Sequence, residues 1–169
     1  MATLIAFFSH AGENYFVDGL KNVKIGNAEI IANKAKILTN ADIFKIDTIK
    51  QYSNNYQICC DEAKLEQQRG ELPELKEYLP SIEQYDKIIL IYPCWWGTMP
   101  QAVFTFLNHY SFDGKIILPI CTHEGSGMGR SELDIVRTCK NAKVLKGIKI
   151  QGSYANACDE ILKNELKCF

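Results

Sequence analysis

Three short runs constrain the chain most: Thr3–Phe8 (TLIAFF), Lys87–Tyr92 (KIILIY) and Lys115–Cys121 (KIILPIC) are almost wholly apolar. Each is far shorter than the ~20 residues of a membrane span. None alternates apolar with polar as a half-exposed strand does. A short continuous apolar run suits a strand buried on both faces, the habit of parallel sheets covered by helices. Two weaker runs, Ala41–Asp47 and Lys143–Gln151, alternate in part and read as strands nearer an edge.

Helical patterns fill the intervals. Asn27–Thr39 places Ile30, Ile31, Lys34, Ala35 and Leu38 along one mostly apolar face. Cys59–Gln68 is acidic and amphipathic, and Thr98–Tyr110 carries Pro100 in its first turn, where the missing N–H costs nothing. Ser131–Cys139 and Tyr154–Cys168 complete the set. Five strands, each followed by a helix, predict an α/β three-layer sandwich on a five-stranded parallel sheet, with right-handed crossovers placing helices on both faces. The 169 residues suit one domain spanning 1–169. Two stretches, Ala11–Gly26 and Gln51–Ile58, are long for connections in such a fold.

Charge removes several functions. Nineteen Lys plus Arg against twenty Asp plus Glu leave a net charge of −1, without the basic excess that nucleic acid or an anionic membrane surface demands. The opening MATLIAFFSH lacks a basic leader region and predicts a cytoplasmic protein. The seven cysteines contain no C-x-x-C and no matched metal-ligand pairs, so reduced thiols are expected rather than a zinc site.

In an open parallel sheet, ligands sit beyond the carboxyl ends of the strands, where the strand order reverses. Ser9-His10-Ala11-Gly12 follows the first strand, and the helix starts at Gly26-Asn27-Ala28. Small residues and a helix N-terminus there suit an anion, with Asn27 also readable simply as an N-cap. Pro93-Cys94-Trp95-Trp96-Gly97-Thr98 follows the third strand and holds both tryptophans of the chain. Adjacent tryptophans cannot share one core direction, so at least one should face a pocket or the surface, where a planar ligand can stack. Thr122-His123-Glu124-Gly125-Ser126 opens a glycine-rich loop after the fourth strand; Arg130 stands where a dinucleotide fingerprint needs its last glycine. His123 and Glu124 are each readable as a proton donor or as loop residues. A ligand with phosphate at one end and a flat polar ring at the other satisfies all three loops. Flavin mononucleotide (FMN) has that shape, and a sheet of order 2-1-3-4-5 binds it at the switch point.

The sequence Tyr92-Pro93-Cys94-Trp95-Trp96-Gly97-Thr98-Met99-Pro100 resembles the motif Y-P-x-W-W-G-T-M-P of a short-chain branch of the flavodoxin-like family. Thr122 to Ser131 is similar to the third flavin loop of the same branch, and the likeness runs over nearly the whole chain. It implies a sheet of order 2-1-3-4-5 and FMN as cofactor. Position by position, it implies a phosphate loop at Ser9, His10, Ala11, Asn27 and Ala28. It implies a ribityl and ring loop at Pro93, Cys94, Trp95, Trp96, Gly97 and Thr98, and an opposite wall at Thr122, His123, Glu124, Gly125 and Ser126. Two departures stand out: Gly12–Ile25 interrupts the loop that in a typical flavodoxin runs straight into the helix as T-G-N-T, and Ala28 replaces the threonine.

The expected function is therefore redox chemistry through bound FMN. The chain would act as an electron carrier to a protein partner, or as an NAD(P)H or quinone oxidoreductase serving a small-molecule acceptor, with no catalytic side chain required. Dedicated carriers of this family are strongly acidic; here acid is local, with eight acidic and three basic residues in Cys59–Asp86. The alternative is a flavin-free interaction module, and a third reading is a thiol hydrolase using Cys94 or Cys121 with His123.

Overall fold

The computed structural model describes residues 2–167 and 169. The central sheet contains β1 (Ala2–Phe7), β4 (Asp42–Lys45), β5 (Tyr85–Pro93), β6 (Ile116–His123), β7 (Lys143–Val144) and β8 (Ile148–Gln151). All pairings in it are parallel, in the order β4-β1-β5-β6-β7, with β8 also on β6. This is the expected 2-1-3-4-5 order, with two short strands in the fifth position.

The continuous apolar runs are buried on both faces, with period two. Leu4, Ala6, Phe8, Ile88, Leu90 and Tyr92 belong to one core, under α3 (Gln101–His109) and α4 (Ser131–Thr138). The intervening Ile5, Phe7, Ile89 and Ile91 belong to the other, under α1 (Asn27–Thr39) and α5 (Asp159–Leu166). The helix α2 (Tyr56–Arg69) packs on α3 and on a second, smaller sheet.

The five-strand expectation is corrected at Pro119. Lys143 N–H donates to Lys115 O and Leu145 N–H to Ile117 O, each at 2.8 Å, so odd-numbered residues of β6 face the fifth position. Pro119 faces the same way and has no N–H to return. Opposite it the ladder opens between β7 and β8, and Gly147 N–H donates instead to Glu132 Oε1 at 2.6 Å.

Other boundaries move for local reasons. The helix α2 begins at Tyr56 rather than Cys59, because the Asn55 side chain caps it by accepting from Ile58 N–H. The helix expected from Thr98 begins at Gln101, since Trp95 and Thr98 close a turn of their own. The segment expected as one helix from Tyr154 to Cys168 is a 3-10 turn at Gly152–Ala157 followed by α5. Cys168 lies outside the described residues.

The stretch Ala11–Gly26 is not a plain loop. It holds the antiparallel hairpin of β2 (Gly12–Phe16) and β3 (Gly19–Val23). The hairpin docks on the start of α2: Glu13 N–H donates to Asn54 O at 2.8 Å, and the Glu13 carboxylate accepts from Tyr56 N–H at 2.9 Å and from the Asn55 amide at 3.1 Å. A carboxylate at a helix N-terminus meets both unpaired N–H groups and the positive end of the helix dipole. Among the described residues, no helix is long and apolar enough to cross a membrane.

Candidate functional site

A cleft of about 540 Å³ opens beyond the carboxyl ends of β1, β5 and β6. Its size is ordinary for a cofactor site, and its place is the point where strand order reverses. The hairpin supplies Glu13, Asn14 and Tyr15; α2 supplies Tyr56, Gln57, Cys59, Cys60 and Ala63; His10 after β1, Asn27 of α1, Gly152 after β8 and the loops after β5 and β6 supply the rest of the wall.

Most residues expected from sequence do meet here. His10, Asn27, Pro93, Cys94, Trp95, Trp96, Thr122, His123, Glu124, Gly125 and Ser126 all line the cleft. Ser9, Ala11, Ala28, Gly97 and Thr98 do not. Ser9 Oγ accepts from Glu29 N–H at 3.1 Å and so serves the first turn of α1. The N-cap of that helix is Gly26, with Asn27 its first residue. Ala28 is buried in the core beside Ile5 and Ile31, and Ala11 leads into β2. Thr98 is buried, with its hydroxyl donating to Asp134 Oδ2 at 2.6 Å.

The tryptophans divide as their adjacency requires. Trp95 turns inward into an edge-to-face cluster, with ring centroids 5.2 Å from Phe8, 5.8 Å from His10 and 5.1 Å from Tyr52. Tyr52 in turn donates to Glu66 Oε2 at 2.6 Å. Trp96 turns outward, 45% exposed, across α2: its Nε1–H donates to Cys60 O at 2.9 Å and Lys64 Nζ lies 4.8 Å from its ring centroid.

The split is made by a tight turn. Trp95 N–H donates to Thr98 O at 2.8 Å and Thr98 N–H to Trp95 O at 3.2 Å. Trp96 and Gly97 both have positive φ, 50° and 78°. Glycine tolerates that region freely, whereas a tryptophan held there stores roughly 1–2 kcal/mol. The turn is braced from the next loop, since Arg130 N–H donates to Gly97 O at 2.8 Å. Only a glycine at 129 permits that approach, because a Cβ there would stand 2.2 Å from Gly97 O.

On the opposite wall, Glu124 is bound to the chain beyond β8. Its carboxylate accepts from Ser153 N–H at 2.7 Å, from the Ser153 hydroxyl at 3.0 Å and from the Gln151 amide at 3.2 Å. His123 Nδ1 accepts from Gly125 N–H at 3.0 Å. Burial, with Lys149 nearby, holds its pKa below the ordinary histidine value, so the imidazole is neutral at pH 7. The His10 imidazole is likewise held neutral, chiefly by burial, and its Nε2 is buried without a hydrogen-bond partner.

The thiol-hydrolase arrangement is not formed. The His123 Nδ1 is taken by Gly125 N–H, and the polar neighbours of the Cys94 sulfur are Cys121, Ser126 and the Gly97 backbone rather than an imidazole. These donors hold the Cys94 thiol at about 6, well below an ordinary thiol. Cys121 is pushed up by its bond to Cys94 and by burial. Among the described residues six cysteines are free, and no group of acidic, histidine or cysteine side chains is placed to hold a metal ion.

Sequence reasoning missed the walls supplied by the hairpin and α2. One signal was available: Tyr15 and Tyr56 lie in the two stretches singled out as overlong, and their rings stand 6.2 Å apart at the cleft.

Similarity to known proteins agrees with this geometry. No curated protein sequence matches the chain. Among solved structures, a protein of Bacteroides uniformis ATCC 8492 provisionally called a flavoprotein superposes with a TM-score of 0.79 at 22% identity, covering 98% of this chain and 97% of its own. A flavoprotein of Lactobacillus acidophilus NCFM in complex with FMN gives 0.66 at 18% identity, covering 92% and 96%. Oxidised flavodoxin 2 of Bacillus cereus gives 0.55 at 15% identity, covering all of both chains at 100%. At these identities the structures establish a shared fold. The flavodoxin family model matches residues 3–165. With that match running through every strand of the sheet and every wall of the cleft, the chain belongs to the flavodoxin family.

Proposed function

We propose that this cleft binds FMN and that the chain works as a redox flavoprotein of the branch marked by Y-P-x-W-W-G-T-M-P. The observation that carries this reading is the pairing of unlike ends in one cleft at the switch point. Asn27, at the start of α1, stands at one end, and Trp95, Trp96, Tyr15 and Tyr56 surround the other. The first N–H groups of a helix lack intrahelical partners and suit a phosphate. Aromatic faces suit a flat ring. The unpartnered His10 Nε2 adds a polar atom for which the chain itself supplies no mate. The Lactobacillus acidophilus relative, in complex with FMN, supports the same choice of cofactor.

In this reading Ser9, His10, Ala11, Asn27 and Ala28 form the phosphate end. Since the Ser9 hydroxyl already serves Glu29, the backbone N–H groups of Asn27 and Ala28 and the Asn27 amide carry the contact. Pro93 to Thr98 and Thr122 to Ser126 flank the ribityl chain and ring. Bound FMN supplies the electron-accepting ring, and the protein orients it, shields one face and sets the surrounding polarity. The free thiols fit a reducing, cytoplasmic setting. A partner protein or a small acceptor then takes the electrons.

Titration of the purified chain with FMN, followed by flavin fluorescence and absorbance, is expected to saturate with quenching and a shifted flavin band. Oxidation of NAD(P)H by the loaded protein, with and without a quinone, separates reductase from carrier. One observation favours a flavin-free interaction module instead: the Ser9 hydroxyl is spent and Ala28 is buried. Absence of flavin uptake would overturn the redox reading in its favour.

A further inference from the structure

We propose that Glu124 sets ligand specificity at the α1 end of the cleft: its carboxylate opposes a phosphate there, so the chain takes riboflavin about as tightly as FMN. The inference rests on the FMN reading of the cleft and concerns the terminal group of that ligand.

Glu124 stands on the loop after β6, and its carboxylate reaches the same end as Asn27. A Cβ at Gly152 would lie 2.3 Å from the Asn27 amide nitrogen and 2.7 Å from Glu124 Oε1, so amide and carboxylate crowd the same glycine. All three residues line the cleft. Gly152 opens the 3-10 turn that packs on α1. That turn and the end of β8 fix the carboxylate through Ser153 N–H at 2.7 Å, the Ser153 hydroxyl at 3.0 Å and the Gln151 amide at 3.2 Å. Glu124 is thus the chain's own anion at this end, and it takes donors that a phosphate could have used.

Nothing in the lining cancels its charge. The three donors are neutral dipoles, which steady a carboxylate without neutralising it. Among the described residues, the lining holds a second carboxylate, Glu13, and no lysine or arginine. Both of its histidines are held neutral, chiefly by burial. Lys45, the cation beside the first turn of α1, is engaged by Glu29 at 2.9 Å. A phosphate monoester carries nearly two negative charges, and repulsion is screened less in a partly buried cleft than in water. The helix N-terminus attracts the phosphate while Glu124 repels it, and the two effects offset. A terminal hydroxyl meets no such conflict, because it can donate to a carboxylate.

The test titrates the full-length flavin-free protein with FMN and with riboflavin, followed by flavin fluorescence. In the wild type the two affinities are expected to agree within about threefold. Glu124→Gln removes the charge at nearly constant size, and the Ser153 hydroxyl can rotate and the Gln151 amide turn over to keep the hydrogen bonds. It is expected to raise the ratio of FMN to riboflavin affinity about tenfold, with riboflavin little changed. Ser153→Ala loosens the carboxylate without removing its charge and should leave the ratio at its wild-type value. A strong FMN preference in the wild type, an unchanged ratio in E124Q, or a rise in S153A would overturn the proposal while leaving FMN binding intact. A parallel measurement needs no flavin: inorganic phosphate, against chloride at matched ionic strength, should raise the melting midpoint of E124Q and leave the wild type unmoved. If neither flavin binds, the cofactor reading fails and this measurement decides alone, with equal responses in the two proteins overturning the role of Glu124.

Discussion

The two ends of the cleft are built on different principles. The aromatic end is cross-braced: Trp95 packs edge-on against three rings, Trp96 is tied to α2, and the turn between them is held by Arg130 N–H. The end at α1 is held by polar contacts instead: the Glu124 carboxylate is bound to Ser153 and Gln151, and the Ser9 hydroxyl is turned to the helix rather than the cleft. Preorganised walls lose less freedom when a ligand arrives. Ring recognition in the proposed site is therefore prepared during folding by packed aromatic side chains, whereas anion recognition rests on the backbone N–H groups at the start of α1 and the Asn27 amide.

The sharpest way to break the comparison is Trp95→Ala. Removing a ring that packs on Phe8, His10 and Tyr52 is expected to cost about 3 kcal/mol in urea unfolding and to abolish FMN binding in titration. Cys94 at the same end offers a pH test. Its thiolate fraction rises with pH through about 6, so alkylation of Cys94 should have its midpoint there and be nearly flat from pH 7.5 to 9. An ordinary thiol would still be rising, and Cys121→Ala should move the midpoint upward.

Gly129→Ala probes the brace rather than the rings. The new Cβ would press on Gly97 O, and a loss of about 2 kcal/mol is expected, with weaker binding of riboflavin and FMN alike. Ser9→Ala tests the other end. If the hydroxyl is a helix cap, stability falls by about 1 kcal/mol while the ratio of FMN to riboflavin affinity stays constant. A fall in that ratio would show that Ser9 leaves the helix for the phosphate. Lys64→Ala should have the smallest effect, about 0.5 kcal/mol, because the cation over Trp96 is exposed to solvent.

How far these features are legible in sequence depends on the range of the cause. Trp95 and Trp96 announced a split between core and surface because two large neighbours on one turn have only that choice. Trp95 and Thr122 reached the cleft because strand ends in a parallel sheet have a fixed place, and Asn27 because the helix that returns across the sheet starts there. Thr98 matched the family motif, and Ala28 stands where the family has threonine, yet both face the interior, since a motif records the neighbourhood of a ligand without recording which side chains point at it. The start of α2 was misplaced by three residues because Asn55 caps it from within a polar stretch that resembles a loop.

By itself the sequence determined the sheet and its helices. Apolar runs such as Ile88–Ile91 can bury both faces only in a covered parallel sheet, whatever surrounds them. Tertiary structure alone decided three things. It docked the Gly12–Phe16 strand on α2 through Glu13, it divided the fifth strand opposite Pro119, and it tied the Glu124 carboxylate to Ser153. Each depends on partners far apart in the chain, and no local periodicity records which distant N–H, carboxylate or thiol a side chain will meet once the sheet has closed.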